Sequence, residues 1–313
     1  MNNLLFSINA VFPLFLLTAL GWFLTNRKVW NGDFLKLGNT LSFNIFIPAM
    51  LFVNIYTADF KEVFDGKLLG FVLMFVCAVC IIGFVLTSLL VKSRARRGVI
   101  LQALFRGNFA LLGVPLCQAL AGDEGAQIAS VFLAFLIPVF NIFATILLSI
   151  YSNDPIESPV AVIKKILKNP LIIACLAGFV FSFARIPLPK LILKPIGDLK
   201  SLATPFALLI LGGDFKFKSF VKNLRYILSA GLSRLILIPS LAVLFAALLG
   251  FRGLHIALVI STFATPVAVS STAMTYKMNG DYDLACELVV FTTVASAVSI
   301  TLLTFVSKLS GIL

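Results

Sequence analysis

Asn108-Phe109-Ala110-Leu111-Leu112-Gly113-Val114-Pro115-Leu116 lies inside an apolar run and brings an amide, a glycine and a proline close together. Proline removes a backbone donor and clashes with the preceding turn. In lipid the carbonyl so freed needs another partner. Irregular backbone at membrane depth is tolerated where it is buried or lines a cavity, and matched interruptions in two halves of a chain mark transporter binding sites. A second apolar run, far downstream, contains Pro266 and then Ala268-Val269-Ser270-Ser271-Thr272-Ala273. The pair predicts a membrane protein with two broken helices.

Composition agrees. Of 313 residues, 60% are hydrophobic and 12% charged, and 31 are Phe. A water-soluble surface needs about a quarter of the residues charged, so lipid is the expected solvent. At roughly 20 apolar residues per span, the runs at 4–25, 34–56, 67–91, 98–121, 125–150, 170–186, 192–213, 223–250, 254–276 and 283–307 predict ten spans. The expected fold is all-α and polytopic. The net charge of +12 sits in short clusters between these runs. That is the pattern of positive-inside loops facing anionic lipid and not of a nucleic-acid surface. The larger share of loop Lys and Arg, including Arg27, Lys28, Arg94, Arg96, Arg97, Lys164, Lys165, Lys216 and Arg225, falls on one side when both termini are placed outside. The Met1-Asn2-Asn3 start lacks a basic leader region, so the first run reads as a retained span.

Catalytic and metal chemistry find little support. There is no GxSxG, HExxH or GxxxxGK[ST] pattern, and His255 is the only histidine. Cys77 and Cys80 are spaced CxxC without a second pair, which reads as lipid-buried core. No enzyme, metal or cofactor is expected.

Three dipeptides recur in order: Asp59-Phe60 with Asp214-Phe215, Arg97-Gly98 with Arg252-Gly253, and Gly122-Asp123 with Gly280-Asp281. They predict two five-span repeats, 1–150 and 170–313, joined by a cytoplasmic linker at 151–169. An odd number of spans per repeat inverts the second relative to the first. As rulers, they carry Pro115 to Ser270 or Ala273, 18 residues after Arg252 or 7 before Gly280. The second break is therefore expected at 270–273, with Pro266 weakening the helix one turn earlier.

Asn108 is expected to line the cavity or to join helices. Arg106 and Arg234 lie deep in apolar runs, where a charge costs a few kcal/mol or more unless paired or wet. Each is expected to meet either an anionic substrate or a structural partner, such as a carboxylate or the carbonyls of a broken helix. Asn141 follows Pro138, and Asn44 precedes Pro48 by four residues, so Asn44 either satisfies freed backbone or faces substrate. Glu287 and Asp198 are the carboxylates considered for ion coupling, which requires burial.

The Asn108–Leu116 string resembles the fourth-span signature of the auxin efflux carrier family. Thr265-Pro266 with Tyr276-Lys277-Met278-Asn279-Gly280-Asp281, and Leu41 to Phe52, are similar to its ninth and second spans. The resemblance covers essentially the whole chain. It implies a fold related to the bile-acid/sodium symporters, with spans 1, 2, 6 and 7 as scaffold and spans 3–5 and 8–10 as a moving body. It also implies carriage of small organic anions such as malate, malonate or auxin-like weak acids, with proton coupling, sodium coupling and uniport all open. A homodimer through the scaffold spans is among the assemblies it allows. Ser271 stands where plant members have a second proline, and the plant-type long loop is absent; both favour a bacterial-type member in a cytoplasmic membrane. The expected site comprises Asn108, Gly113, Val114, Pro115, Ala268, Ser270, Ser271, Thr272, Asn44, Asn141 and Arg106. A passive channel, a lipid-handling protein or a ligand sensor without transport are the alternatives.

Overall fold

Prolines shape these helices without breaking them. In three places a π-helical turn stands directly before an X-Pro pair: Ser42–Phe46 before Ile47-Pro48, Phe109–Gly113 before Val114-Pro115, and Ser233–Leu237 before Ile238-Pro239. Each time the residue preceding the proline donates its N–H five residues back, to Ser42 O, Phe109 O or Ser233 O. The helix widens by one residue and continues, which is how a π-bulge absorbs a missing donor. Pro115 is therefore not a break, contrary to the sequence expectation; like Pro48 and Pro239 it stands just behind a π turn within a continuing helix.

The computed structural model describes residues 2–57, 65–151, 163–164 and 167–313. The Asp59-Phe60 pair and most of the 151–169 linker lie outside the described residues. The chain runs through α1 (Asn2–Asn26), α2 (Gly32–Tyr56), α3 (Gly66–Leu90), α4 (Arg94–Phe105), α5 (Val114–Tyr151), α6 (Pro170–Phe183), α7 (Lys190–Asp214), α8 (Phe217–Leu248), α9 (Leu254–Phe263), α10 (Ser270–Lys277) and α11 (Tyr282–Leu309). Within α5 the chain turns sharply at Ala121-Gly122, where Gly122 has φ 69°. Among the described residues, six helices are long and apolar enough to cross a membrane, and α6 and α9 are shorter apolar helices. The described chain is helical apart from loops and one isolated bridge, as a lipid-embedded chain requires.

Packing sorts the helices into two groups. In one, α1 lies along α7, and the second half of α2 packs on α6 and α7. In the other, α4 packs on α3 and α5, α9 on α5 and α8, and α11 on α8 and α10. The groups meet where α1 touches α11 and where α2 and α6 touch α5. The α1–α7 crossing is backbone against backbone. A Cβ on Gly21 would land on the Leu209 carbonyl, and one on Gly212 would land on the Thr18 carbonyl. Small residues permit this approach in membranes, where packing substitutes for the hydrophobic effect.

Gly21→Val and Gly212→Val are each expected to lower stability by about 1–3 kcal/mol or more, because rigid backbone is what the new side chain meets. Thermal unfolding in detergent measures it. Gly32→Ala, with no atom within 4 Å of the added Cβ, serves as the control and should leave the melting temperature unlowered. Equal melting temperatures for all three variants would contradict the close crossing.

Candidate functional site

Helix α4 ends at Phe105 and α9 at Phe263; the segments that follow are unwound. Arg106 (φ −93°, ψ 91°) and Asn108 (φ −80°, ψ 54°) have left helical geometry. Their freed backbone groups are satisfied by the other interruption. Asn108 N–H donates to Pro266 O at 2.8 Å, and Ala268 N–H to Arg106 O at 3.1 Å. Gly107 and Val267 pair as an antiparallel bridge. Two broken helices thus cross and complete each other, which answers the demand for satisfied backbone in lipid. The breaks lie at 106–108 and 264–269, not at Pro115 and 270–273. Pro266 sits inside the second break, whereas Ser270–Ala273 open helix α10.

The two arginines near this crossing have separate roles. Arg234, fully buried in α8, donates from Nε to Thr265 O (3.0 Å), from Nη1 to Leu104 O (3.2 Å) and from Nη2 to Thr262 O (3.3 Å). Its acceptors are the carbonyl ends of α4 and α9, where helix dipoles leave negative partial charge. This is the structural reading expected for a buried arginine beside a broken helix. Gly107 leaves room for it, because a Cβ there would strike the guanidinium.

Arg106 is also buried, but its partners are neutral side chains. Nη1 donates to Gln102 Oε1 (3.0 Å) and Met274 Sδ (3.0 Å); Nη2 donates to Asn141 Oδ1 (2.7 Å) and Ser270 Oγ (3.1 Å). Among the described residues no carboxylate lies within ion-pair distance of it. The guanidinium borders a cavity of about 40 Å³ shared with Asn108, Asn141, Ala268 and Ser270, and closed on one side by Met50 and Leu51 of α2. At about 10–15 Å³ per water position, that volume suits a group of a few heavy atoms. Asn108, one of the lining residues, has an amide nitrogen that is buried and without a hydrogen-bond partner among the described residues. A buried donor left without a partner costs about 1–3 kcal/mol. Phe109 and Ala110 open one half-helix beside the cavity, and Ser270 opens the other, so both bring positive dipole ends to it.

Several expected residues stand elsewhere. Gly113, Val114 and Pro115 do not line the cavity; residues 106–110 do. Gly113 instead lets the π turn pass the Ser261 carbonyl of α9. Ser271 and Thr272 are buried outside the lining: Ser271 O accepts from Gln102 Nε2 (3.4 Å), and Thr272 Oγ donates to Val269 O (2.8 Å). Asn44 is on the exposed face of its π turn and bonds to no local backbone. Asp198 is exposed and paired with Lys194 at 3.2 Å, so it lacks the burial that coupling requires. Glu287 has that burial. Sequence reading passed over Gln102, Met50 and Leu51. A glutamine one turn before Arg106 in an apolar helix was the available signal for the first; the aliphatic pair carried none.

A family profile described as membrane transport protein matches residues 6–159 and 155–304. The chain belongs to that family. It is the auxin efflux carrier family of the sequence resemblance, and the protein is an integral, multi-pass membrane protein of a transporter family. A protein of Methanothermobacter thermautotrophicus named as an uncharacterized transporter is 23% identical over 305 residues, spanning 95% of this chain and 97% of its own. A second uncharacterized transporter, from Methanocaldococcus jannaschii, is 23% identical over 308 residues, spanning 94% and 97%. Both organisms are archaea, so these relatives lend the bacterial-type expectation no support.

Proposed function

We propose that this family member is a secondary carrier of small organic anions, malonate- or malate-like carboxylates, bound at the crossing of the two broken helices. One observation carries the reading. Arg106, whose buried guanidinium has no carboxylate partner among the described residues, and Asn108, whose amide N–H is unpartnered, line one small cavity. A carboxylate satisfies both, since charge-assisted bonds to Arg are the strong class. A cationic substrate would meet the Arg106 charge and two positive helix ends.

The motion proposed is an elevator. The α1, α2, α6 and α7 group serves as scaffold, and the remaining helices, crossing included, move against it. The cavity's position supports this, because α2 closes one wall, and the crossing together with Ile137, Phe140 and Asn141 of α5 supplies the others. Inverted repeats of five spans each are supported by the register of the breaks: Phe105 and Phe263, the last helical residues before them, are offset by the same number of residues as Gly122 and Gly280. Asn39 of α2, Asp214 of α7 and Tyr282 of α11 share bonds of 2.7–3.1 Å; in an elevator cycle this cluster joins the two bodies and opens with each crossing. Both termini are assigned to the outside of the cytoplasmic membrane by the positive-inside rule.

Asn108→Ala removes the orphaned donor, and about a tenfold loss of substrate affinity is expected, one lost bond of about 1.4 kcal/mol. Saturable counterflow of malonate in proteoliposomes tests the carrier. Non-saturating flux would favour a channel, and unchanged affinity and rate in Asn108→Ala would remove Asn108 from the site.

A further inference from the structure

Three carboxylates cluster where α11 begins, and only two have cations. Asp281 accepts from Arg96 Nε at 2.9 Å, and Asp283 pairs with Lys216 Nζ at 3.1 Å. The Lys216–Asp283 hydrogen bond holds the Lys216 ammonium above the ordinary lysine range. Glu287, one turn further into α11, is 1% exposed and has no cation within ion-pair distance among the described residues. It faces Asn223 of α8, itself 3% exposed. Asn223 Nδ2 donates to Glu287 Oε2 at 2.8 Å. The other oxygen of each group, Glu287 Oε1 and Asn223 Oδ1, is buried and makes no hydrogen bond within 3.5 Å among the described residues, with the Ser219 hydroxyl beside the carboxyl.

One orphaned acceptor on each side of an existing bond has a simple chemical meaning. A carboxylic acid and a primary amide pair through two rungs, N–H to carbonyl oxygen and O–H to amide oxygen. Here the first rung is present, and the atoms of the second are both acceptors. A single proton on Glu287 supplies the missing donor. A metal cation answers less well. Asn223 and Glu287 both sit in regular helix, with backbone carbonyls already engaged, and no cluster of three acidic, His or Cys ligands is present among the described residues. Ionised, Glu287 would be a buried charge without a counter-ion, held only by the Asn223 amide and the Ser219 hydroxyl and beside two other carboxylates, an arrangement that burial disfavours.

We infer that Glu287 and Asn223 form a proton-binding site, in which Glu287 is held as a neutral acid whose proton closes an acid–amide ring between α8 and α11. The groups facing it are Asn223 and Ser219 from α8, Cys286, Asp283 and Asp281 from its own segment, and, through the aspartates, Arg96 of α4 and Lys216; Asp214, at the end of α7, faces Cys286. Both helices of the ring belong to the proposed moving body. Loss of the proton places two facing acceptors between them and loosens their contact. The consequence for flux rests on the carrier reading; the site itself does not.

Infrared difference spectroscopy of the full-length purified protein, from about pH 5 to about pH 9, separates a buried acid from ordinary glutamates titrating near 4.3. The expected result is a protonated-carboxyl C=O band that persists at neutral pH and is lost in Glu287→Gln. In Asn223→Leu the same band should shift in frequency, because the acid has lost its amide partner; this variant keeps the test open should Glu287→Gln fail to fold. A wild-type spectrum without such a band at neutral pH, or a band unchanged in Glu287→Gln, overturns the site. In proteoliposomes the wild-type rate of malonate uptake should change across this range, while Glu287→Gln, fixed in the neutral form, should not respond. An identical pH response in the two proteins overturns the coupling. Absence of malonate uptake by either protein counts against the carrier reading, and the infrared band then decides the site alone.

Discussion

Arg106→Ala is expected to reduce kcat/KM for malonate counterflow by at least about a hundredfold. Charged hydrogen bonds contribute about 1.5–3 kcal/mol each, and a carboxylate at this site loses a guanidinium in a cavity largely shielded from water, where screening is weak. Arg106→Lys should recover little. The guanidinium spans four acceptors, Gln102, Met274, Asn141 and Ser270, and an ammonium carries three donors on one atom. Arg106→Gln keeps polarity without charge and distinguishes charge from hydrogen bonding. If charge is what binds, the alanine and glutamine variants fail alike. The variants also leave Asn141 Oδ1 and Gln102 Oε1 without their donor, so thermal unfolding must be read beside transport. A folded Arg106→Ala protein with wild-type kcat/KM would end the anion reading.

Most of the helices were legible from hydropathy, because a lipid-facing segment must be long and apolar: six helices have that length and composition, while the expected runs at 98–121 and 254–276 are each interrupted by unwound backbone. The place of the breaks was not. Proline suggested it, yet Pro115, Pro48 and Pro239 all stand behind π turns within continuing helices. The chain leaves the helix at Arg106-Gly107-Asn108, where each unwound residue is held by a partner more than 150 positions away. No local pattern reveals such a partner.

The repeat rulers erred for a related reason. Arg97 is the fourth residue of α4, whereas Arg252 precedes α9, and the two half-helices differ in length, 12 residues against 10. Counting from that end accumulates the difference. The Gly122 and Gly280 ruler lies beyond the breaks and keeps register, as Phe105 and Phe263 attest, but it was applied to Pro115, the wrong mark. The hydroxyl run at 270–273 looked like a helix weakener. Ser270 instead holds Arg106, and Thr272 bonds back to Val269 at the start of α10, a role Ser and Thr commonly take near helix starts.

Arg234 was as conspicuous in sequence as Arg106, and a second expected result separates them. Arg234→Met should destabilise the protein by about 3–5 kcal/mol, the range for breaking a buried charged pairing. The physical reason lies in what the crossing leaves unsatisfied. Helices α4 and α9 end facing each other, each with carbonyls that have no intrahelical donor. Leu104 O, Thr262 O and Thr265 O all turn to the one guanidinium. Methionine fills similar volume but donates nothing, so three acceptors and two like-signed helix ends meet with nothing between them. The loss should appear as a large drop in melting temperature in detergent. Whatever fraction folds should bind malonate with near wild-type affinity, because Arg234 does not border the cavity. Arg234→Lys, with a single charged centre, should fall between the two. Gly107→Ala should imitate Arg234→Met by the opposite route, pressing a methyl group into the guanidinium and displacing it from the same carbonyls. Were Arg234→Met to retain wild-type stability while losing malonate affinity, the two arginines would have to exchange roles, and the guanidinium at the helix ends would become part of the substrate path.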